Sequence, residues 1–240
     1  MRHYAKLLRA TLAASLMLVV LAAAAVAGPL EDADAASERG DFEAAYRLLR
    51  PLADQGDALA QTNLGFIYAN GRGVPQDYSK ALEWFRKAAD QGFAIAQTNL
   101  GVMYYMGLGV PQDYAEAMKW LRLAADQGVA SAQGRLGAMY GAGYGVPQDD
   151  TEAVKWFHRG ADQGDNYAQL MLAFMFELGR GVPQDYVQAL RWFSLAAASL
   201  KVEKPDAAAE NRDRVAAKMT PAEIAEAEKL AREWKPKPER

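Results

Sequence analysis

The sequence contains no cysteine, which excludes disulfide bonds and thiol redox chemistry. It contains two histidines, His3 and His158, so the Cys/His ligand sets of zinc and copper sites are missing as well. None of its serines after residue 27 lies in Ser-x-x-Lys or Gly-x-Ser-x-Gly, the contexts that supply a base or a nucleophile elbow. We therefore predict no catalytic residue, no cofactor and no metal site.

Positive charge is also scarce, because 27 Lys and Arg residues face 30 Asp and Glu residues, for a formal charge of -3. Removal of residues 1–27 would take away Arg2, Lys6 and Arg9 and no acidic residue, which changes the formal charge from -3 to -6. Since a basic surface supplies most of the affinity for nucleic acid, we predict no nucleic-acid partner.

One long apolar run, Leu12 to Ala25, follows the basic start and ends at Ala25-Val26-Ala27, a pattern that signal peptidases recognise. We predict that residues 1–27 are a secretory signal peptide cleaved after Ala27, that the protein is periplasmic or secreted, and that it has no membrane association afterwards. The alternative is a retained N-terminal helix, which would make the protein a membrane-tethered structural organiser.

Two short motifs recur at a constant spacing of 36 residues: Gly-Val-Pro-Gln-Asp and Asp-Gln-Gly each occur four times. A tryptophan keeps the same step, at Trp84, Trp120, Trp156 and Trp192. A fixed period without insertions predicts helical units that stack into a solenoid. Because the tryptophans fall on the apolar stripe of a helix, we predict that they are core residues rather than ligand-stacking residues.

Each unit is predicted to form two antiparallel helices. The apolar face of the first contains Ala60, Leu64, Ile67 and Tyr68, and that of the second contains Ala81, Trp84, Phe85 and Ala88. Mid-helix glycines, namely Gly65, Gly101 and Gly137, predict a close helix crossing against the small residues Ala81 and Ala88 and their repeats.

The recurrent aspartates raise the possibility of calcium ligands, but their recurrence at helix ends favours capping. Asp77, Asp113, Asp149 and Asp185 are predicted N-caps. Glu116 and Glu152 follow two of them by three residues and predict capping boxes. His158 occupies the position of Arg86 and Arg122 in its unit, and we predict that it faces solvent.

The periodicity predicts a domain organisation along the whole chain. It comprises a degenerate N-terminal capping repeat (28–56), repeats 1 to 4 (57–92, 93–128, 129–164 and 165–200), a C-terminal helical cap (206–234) and a disordered tail (235–240).

The repeated residues resemble those of the Sel-one-like repeat family, relatives of tetratricopeptide repeats with a longer loop between the helices. The resemblance lies in Ala-x-Ala-Gln-x-x-Leu-Gly-x-x-Tyr, the Gly-x-Gly-Val-Pro-Gln-Asp loop and Ala-x-x-Trp-Phe-x-x-Ala-Ala-Asp-Gln-Gly. It implies an all-α, right-handed αα-superhelical solenoid and an adaptor or scaffold function. Some cysteine-rich relatives are described as β-lactam-binding or β-lactam-hydrolysing, which leaves a β-lactam or peptidoglycan-related enzyme or binder as the alternative.

By analogy with the tetratricopeptide register, the first helices line a concave groove that binds a protein or peptide partner. The predicted groove residues are Thr62, Asn63, Phe66, Asn70, Thr98, Asn99, Val102, Tyr105, Arg135, Ala138, Leu170, Met171 and Phe174. They vary between units while the packing positions do not, as expected of a surface that binds a partner.

Overall fold

The computed structural model describes residues 28–199 and 207–237, in which all regular secondary structure is helical. The predicted signal peptide, the segment that links repeat 4 to the C-terminal cap and the last three residues lie outside the described residues. The helices are α1 (Pro29–Glu38), α2 (Phe42–Asp54), α3 (Ala58–Asn70), α4 (Tyr78–Asp90), α5 (Ala94–Met106), α6 (Tyr114–Asp126), α7 (Ala130–Ala142), α8 (Asp150–Asp162), α9 (Asn166–Leu178), α10 (Tyr186–Ser199), α11 (Ala207–Ala216) and α12 (Pro221–Glu233).

Successive helices pair into hairpins that stack in chain order. The pairs α3/α4, α5/α6, α7/α8 and α9/α10 are the four 36-residue units, and α1/α2 forms a shorter hairpin ahead of them. The predicted tryptophans lie in the core, with exposed fractions between 0% for Trp192 and 6% for Trp84 and Trp120. The fold is therefore the predicted all-α array.

Aspartate side chains begin the second helix of each unit, as predicted. Asp77 accepts a hydrogen bond from Lys80 N–H at 3.0 Å, and Asp149 accepts one from Glu152 N–H at 2.9 Å. The predicted capping boxes do not form, because Glu116 accepts from Trp120 Nε1 at 3.0 Å instead of from its cap residue. The aspartates of Asp-Gln-Gly are not N-caps either: Asp90, Asp126 and Asp162 are the last residues of α4, α6 and α8.

The mid-helix glycines lie where the two helices of a unit cross most closely. A β-carbon on Gly101 would lie 2.7 Å from Leu121 Cγ and 3.2 Å from the Ala117 carbonyl oxygen. On Gly65 it would lie 2.6 Å from the ring of Phe85. The close crossing is confirmed, but a large side chain of the facing helix fills it, rather than the small surface that was predicted.

Buried glutamines join each unit to the next. Gln61 is 4% exposed, and its Nε2 donates to the Ala53 carbonyl at 3.1 Å, across the boundary with the preceding helix. Its Oε1 accepts a hydrogen bond of 2.8 Å from Gln91 of the Asp-Gln-Gly motif. The same amide pair recurs with the same spacing, as Gln127 to Gln97 (2.7 Å) and Gln163 to Gln133 (2.9 Å). The sequence analysis did not assign these glutamines a role.

A second set of contacts between units covers the buried tryptophans, three of them with an arginine of the preceding unit. The guanidinium of Arg86 lies 5.4 Å from the ring centre of Trp120, and that of Arg122 lies 4.9 Å from Trp156. His158 takes this place in the next unit, with its ring 5.8 Å from that of Trp192 and edge-on to it. His158 is therefore half-buried in an inter-unit contact, and the prediction that it faces solvent is wrong.

Two elements close the C-terminal end of the array. Glu177 of α9 is 3% exposed and forms ion pairs with Arg214 of α11 and with Lys218, the latter at 3.2 Å. The Arg214 guanidinium is the main reason that the pKa of Glu177 is lowered. Thr220 forms the predicted capping box with Glu223 at the start of α12.

The first three residues of the predicted disordered tail are ordered against the last two units. The ring of Trp234, which ends α12, lies edge-on to Trp192 at 6.4 Å. The Lys237 N–H donates to the Asp162 carbonyl at 2.8 Å, which attaches residues 235–237 to the end of α8. The prediction of disorder therefore does not hold for residues 235–237.

We expect Gly101→Ala to destabilise the protein although alanine favours helix by about 1 kcal/mol. The overlap with Leu121 forces repacking that costs about 1–3 kcal/mol, so a net loss of up to about 2 kcal/mol is expected in chemical denaturation. Gly141→Ala is the matched control, because its β-carbon would meet only Ala153 Cβ at 3.5 Å. The control should gain up to about 1 kcal/mol; equal effects of the two substitutions would contradict the close crossing.

We expect His158 to make stability depend on pH. Burial is the main cause of its lowered pKa, and the positive charges of Arg191 and Lys237 lower it further, against the opposing effect of Asp162. Because the unfolded chain then binds the proton more readily, stability should be full above about pH 6.5 and fall as the pH drops below it. Denaturant titrations at several pH values should show this loss in the parent protein and lack it in His158→Gln. A parallel loss in both proteins would assign the effect to other groups.

Candidate binding face of the first helices

The first helices of the four units, α3, α5, α7 and α9, share one exposed stripe, which we call the first-helix face. In each helix it contains the second residue and the residues four, seven and eleven positions after it, a helical spacing that keeps them on one side. In α3 these residues are Leu59, Asn63, Phe66 and Asn70. Several large apolar side chains of the stripe are exposed, among them Leu59 (39%), Phe66 (37%), Ile95 (48%), Met106 (59%), Tyr167 (43%) and Leu178 (60%).

A row of hollows follows this face from one end of the array to the other. The first, of about 200 Å³, lies against α1 and α2 and contains Asn63, Phe66 and Asn70. A hollow of about 300 Å³ follows between α3, α5 and α7. Farther along, a small hollow of about 70 Å³ adjoins a larger one of about 410 Å³ between α5, α7 and α9.

The structure brings most of the predicted groove residues onto these hollows. The residues that line at least one hollow are Asn63, Phe66, Asn70, Thr98, Asn99, Val102, Tyr105, Arg135, Ala138, Met171 and Phe174. Thr62 is the clearest exception, because it is 1% exposed and its hydroxyl donates to the Ala58 carbonyl at 2.7 Å. Thr98 is also buried, at 7%, and makes the same bond to Ala94. Leu170 is half-buried and lines none of these hollows.

The placement of Thr62 corrects the predicted register. Thr62 is buried and its hydroxyl bonds within its own helix, whereas its neighbour Asn63, four residues after Leu59, is half-exposed on the stripe. The same shift reveals residues that the sequence analysis missed: Leu59, Ile95, Tyr167, Met106 and Leu178. Leu59, Ile95 and Tyr167 lie four residues before Asn63, Asn99 and Met171, so extending the predicted stripe by one helical turn toward the N-terminus of each helix would have found them.

Tyrosines from three elements gather around the larger hollow. Tyr114, the first residue of α6, stacks on Tyr144 of the α7–α8 loop with ring centres 4.6 Å apart and planes 11° apart. Tyr105 of α5 lies 5.5 Å from Tyr114 and 5.9 Å from Tyr144. We call the space of about 410 Å³ beside them the tyrosine hollow; it is lined by Tyr105, Ala138, Gly141, Ala142, Tyr144, Phe157, Tyr167, Met171, Phe174, Met175, Leu178 and Arg180.

Arg180 lines the tyrosine hollow and Arg135 lines the small hollow beside it, and the two arginines differ in whether an acidic side chain pairs with them. Arg180 donates from Nε to Asp150 at 3.0 Å and from Nη2 to the same carboxylate at 2.7 Å. Its guanidinium is the main reason that the pKa of Asp150 is lowered. Arg135 of α7, in contrast, is exposed and forms no hydrogen bond or ion pair with any described residue.

Three titratable side chains near Arg135, those of Tyr105, Tyr167 and Asp165, have raised pKa values. Burial raises the pKa of Tyr105 and of Tyr167, and the nearby charge of Arg135 partly offsets the rise in both. Burial also raises the pKa of Asp165, whose carboxylate accepts the N-cap hydrogen bond from Ala168 N–H at 2.7 Å. Arg135 thus lies close enough to all three groups to affect their titration, yet its guanidinium keeps its donors free.

Within residues 28–199 and 207–237, no group of three or more His, Cys, Asp or Glu side chains is arranged to hold a metal ion. In the same two stretches, no helix combines the length and the apolar character that crossing a bilayer requires.

Comparison with known families gives a match along most of the chain. The Sel1 repeat profile matches residues 34–57, 58–93, 94–129, 130–165 and 166–199. The first match includes α2 and the end of α1, the hairpin that precedes the four regular units. The search of curated proteins found no match to this chain.

Solved structures similar to this chain are bacterial repeat proteins. A Sel1 repeat protein from Oxalobacter formigenes is 32% identical, with a TM-score of 0.68 over 79% of this chain and 76% of its own. The protein c5321, described as a protective antigen of uropathogenic Escherichia coli with an SLR fold, is 29% identical, with a TM-score of 0.52 over 86% of this chain and 52% of its own. A sel1 repeat protein from Klebsiella pneumoniae is 26% identical, with a TM-score of 0.51 over 78% of this chain and 91% of its own.

Proposed function

The chain belongs to the Sel1 repeat family, and from this premise we propose that it is an exported scaffold that binds a protein partner along the first-helix face. Members of the family generally mediate protein–protein interactions and are typically non-catalytic. We extend both properties to this chain, and we assign the binding to the row of hollows between α3, α5, α7 and α9.

The observation that supports this assignment is a difference in residue type. Positions that join units keep the same residue in each unit, whereas positions on the first-helix face differ between units. The positions that join units hold the same residue type in successive units, as in the buried glutamines Gln61, Gln97 and Gln133, each of which donates to a carbonyl of the preceding unit. The position seven residues after the start of the stripe, in contrast, holds Phe66, which is exposed, and Val102, Ala138 and Phe174, which are half-buried. Large apolar side chains that remain exposed on one continuous face are a common feature of protein interfaces.

Export is the second part of the proposal. It rests on the basic start, the uncharged apolar run from Leu12 to Ala25 and the small residues before Gly28. The partner would then be a protein of the periplasm or of the extracellular medium.

We expect the double variant Met106→Ser/Leu178→Ser to lose at least several-fold of the partner recovered by cross-linking in the native compartment. Both side chains are about 60% exposed, so their replacement should remove contact area while it leaves the helical circular dichroism unchanged. Leu123→Ser is the control, because Leu123 is 43% exposed on α6, a second helix outside the row of hollows. Equal recovery with the double variant and the parent protein would move the binding surface away from the first-helix face.

We expect intact-mass spectrometry of the protein purified from its native compartment to show Gly28 as the first residue. Leu18→Arg, which interrupts the apolar run, should block this cleavage and retain the protein inside the cell. A mature protein that keeps Met1 and sediments with membranes would instead support the membrane-tethered organiser.

A further inference from the structure

The tyrosine hollow and the small hollow beside it combine an apolar space with hydrogen-bond donors that bond to no described residue. Arg135, Tyr105 and Tyr167 line the small hollow together, and Tyr105 and Tyr167 also line the tyrosine hollow. The hydroxyls of Tyr105, Tyr144 and Tyr167 make no hydrogen bond with any described residue, and neither does the guanidinium of Arg135. This part of the first-helix face therefore presents one positive charge and several O–H donors beside an apolar space.

We propose that this site selects a partner segment in which an acidic side chain lies within a few residues of a large apolar side chain. The carboxylate pairs with Arg135, and the apolar side chain enters the tyrosine hollow. The proposal rests on the proposed function, namely that the first-helix face binds a protein, and adds the chemical class of the segment that is bound.

The positive charge of Arg135 supports the proposal that the partner segment contributes an acidic side chain. Asp165, the carboxylate near Arg135, is already engaged as the N-cap of α9. An incoming carboxylate can therefore form a charge-assisted, two-pronged hydrogen bond with the free guanidinium, to which the tyrosine hydroxyls can add donors. An incoming lysine or arginine would meet like charge at the same place.

The side of the tyrosine hollow formed by α9 supports the proposal that the partner segment contributes a large apolar side chain. Met171, Phe174 and Leu178 of α9 line the tyrosine hollow, and Leu178 is 60% exposed. Phe174 is held edge-on against Phe193 with ring centres 5.0 Å apart, which fixes it as one wall. A hollow of about 410 Å³ is large enough for one aromatic or branched aliphatic side chain together with the backbone that carries it.

The same features favour a peptide over an acidic oligosaccharide. Sugar hydroxyls need polar partners at close intervals, and the α9 side of the hollow offers thioether, phenyl and isobutyl groups instead. The first-helix face is also long enough for an extended segment, because hollows continue from this site toward α1. Acidic oligosaccharide binding is kept as one outcome of the test.

The test selects a library of random displayed dodecapeptides against the full-length protein as its host cell produces it. The parent protein should enrich peptides that carry Asp or Glu within about three residues of Phe, Tyr, Trp or Leu. Arg135→Glu should bind those peptides roughly tenfold more weakly in fluorescence anisotropy and should enrich basic peptides in their place. Arg39→Glu is the matched control, since Arg39 is an exposed arginine without an ion pair to any described residue, in the turn between α1 and α2.

The outcomes distinguish failure of the inference from failure of the proposed function. Binders that weaken with Met106→Ser/Leu178→Ser but show no acidic preference, or that tolerate Arg135→Glu, overturn the inference and leave the proposed function standing. Binders that are insensitive to every variant of the face, or a selection without binders, count against both. Binding of polygalacturonate oligosaccharides that depends on Arg135, without acidic peptide binders, would assign the site to an acidic glycan instead.

Discussion

A hydrogen bond from a buried glutamine side chain to a backbone carbonyl joins each regular hairpin of this protein to the one before it, and the rest of the array depends on it. Gln61 is covered by both neighbours, so its amide must find its partners inside the protein or remain costly and unsatisfied. One partner is the Ala53 carbonyl of the preceding hairpin, and the other is Gln91, 30 residues later. That geometry recurs for Gln97 and Gln133, each of which accepts a hydrogen bond from a glutamine at the end of its own hairpin. Gln97 and Gln133 also donate to the Ala89 and Ala125 carbonyls, as Gln61 does to Ala53, so the contact between hairpins recurs every 36 residues.

The regular spacing has a consequence for function, since it aligns equivalent surface positions of successive units. The residues that cover tryptophan rings or cap helices have little freedom to vary, and these residues lie between the helices and at the loops. The outward positions of the first helices neither cover tryptophan rings nor cap helices. They can differ from unit to unit at small cost in stability, so the polar α3 end with Asn63 and Asn70 and the apolar α9 end with Met171 and Leu178 can coexist on one face.

The predictions that failed concern side chains whose actual partners the sequence pattern did not indicate, either in their own helix or in a neighbouring unit. Thr62 and His158 each carry a polar group at a position that looks exposed in a single helix. The first turns into its own helix interface and donates to Ala58, and the second is covered by the rings of Phe176 and Trp192. Glu116 leaves its expected capping role for the indole N–H of Trp120. The order of Lys237 depends on Asp162, a residue 75 positions earlier in the sequence that no local pattern connects to it.

The amino-acid sequence by itself determined the helices, the units and the core, because helix periodicity, capping aspartates and repeated tryptophans are local signals that act within about 36 residues. It also indicated most residues of the first-helix face, since Phe66, Arg135 and Phe174 follow the helical repeat. Only the tertiary structure decided that Tyr105, Tyr114 and Tyr144 meet, and that Arg180 is paired while Arg135 is not. Those facts depend on how a loop of one unit lies against the helices of two others, and such distances are set by packing between units rather than by any spacing along the chain.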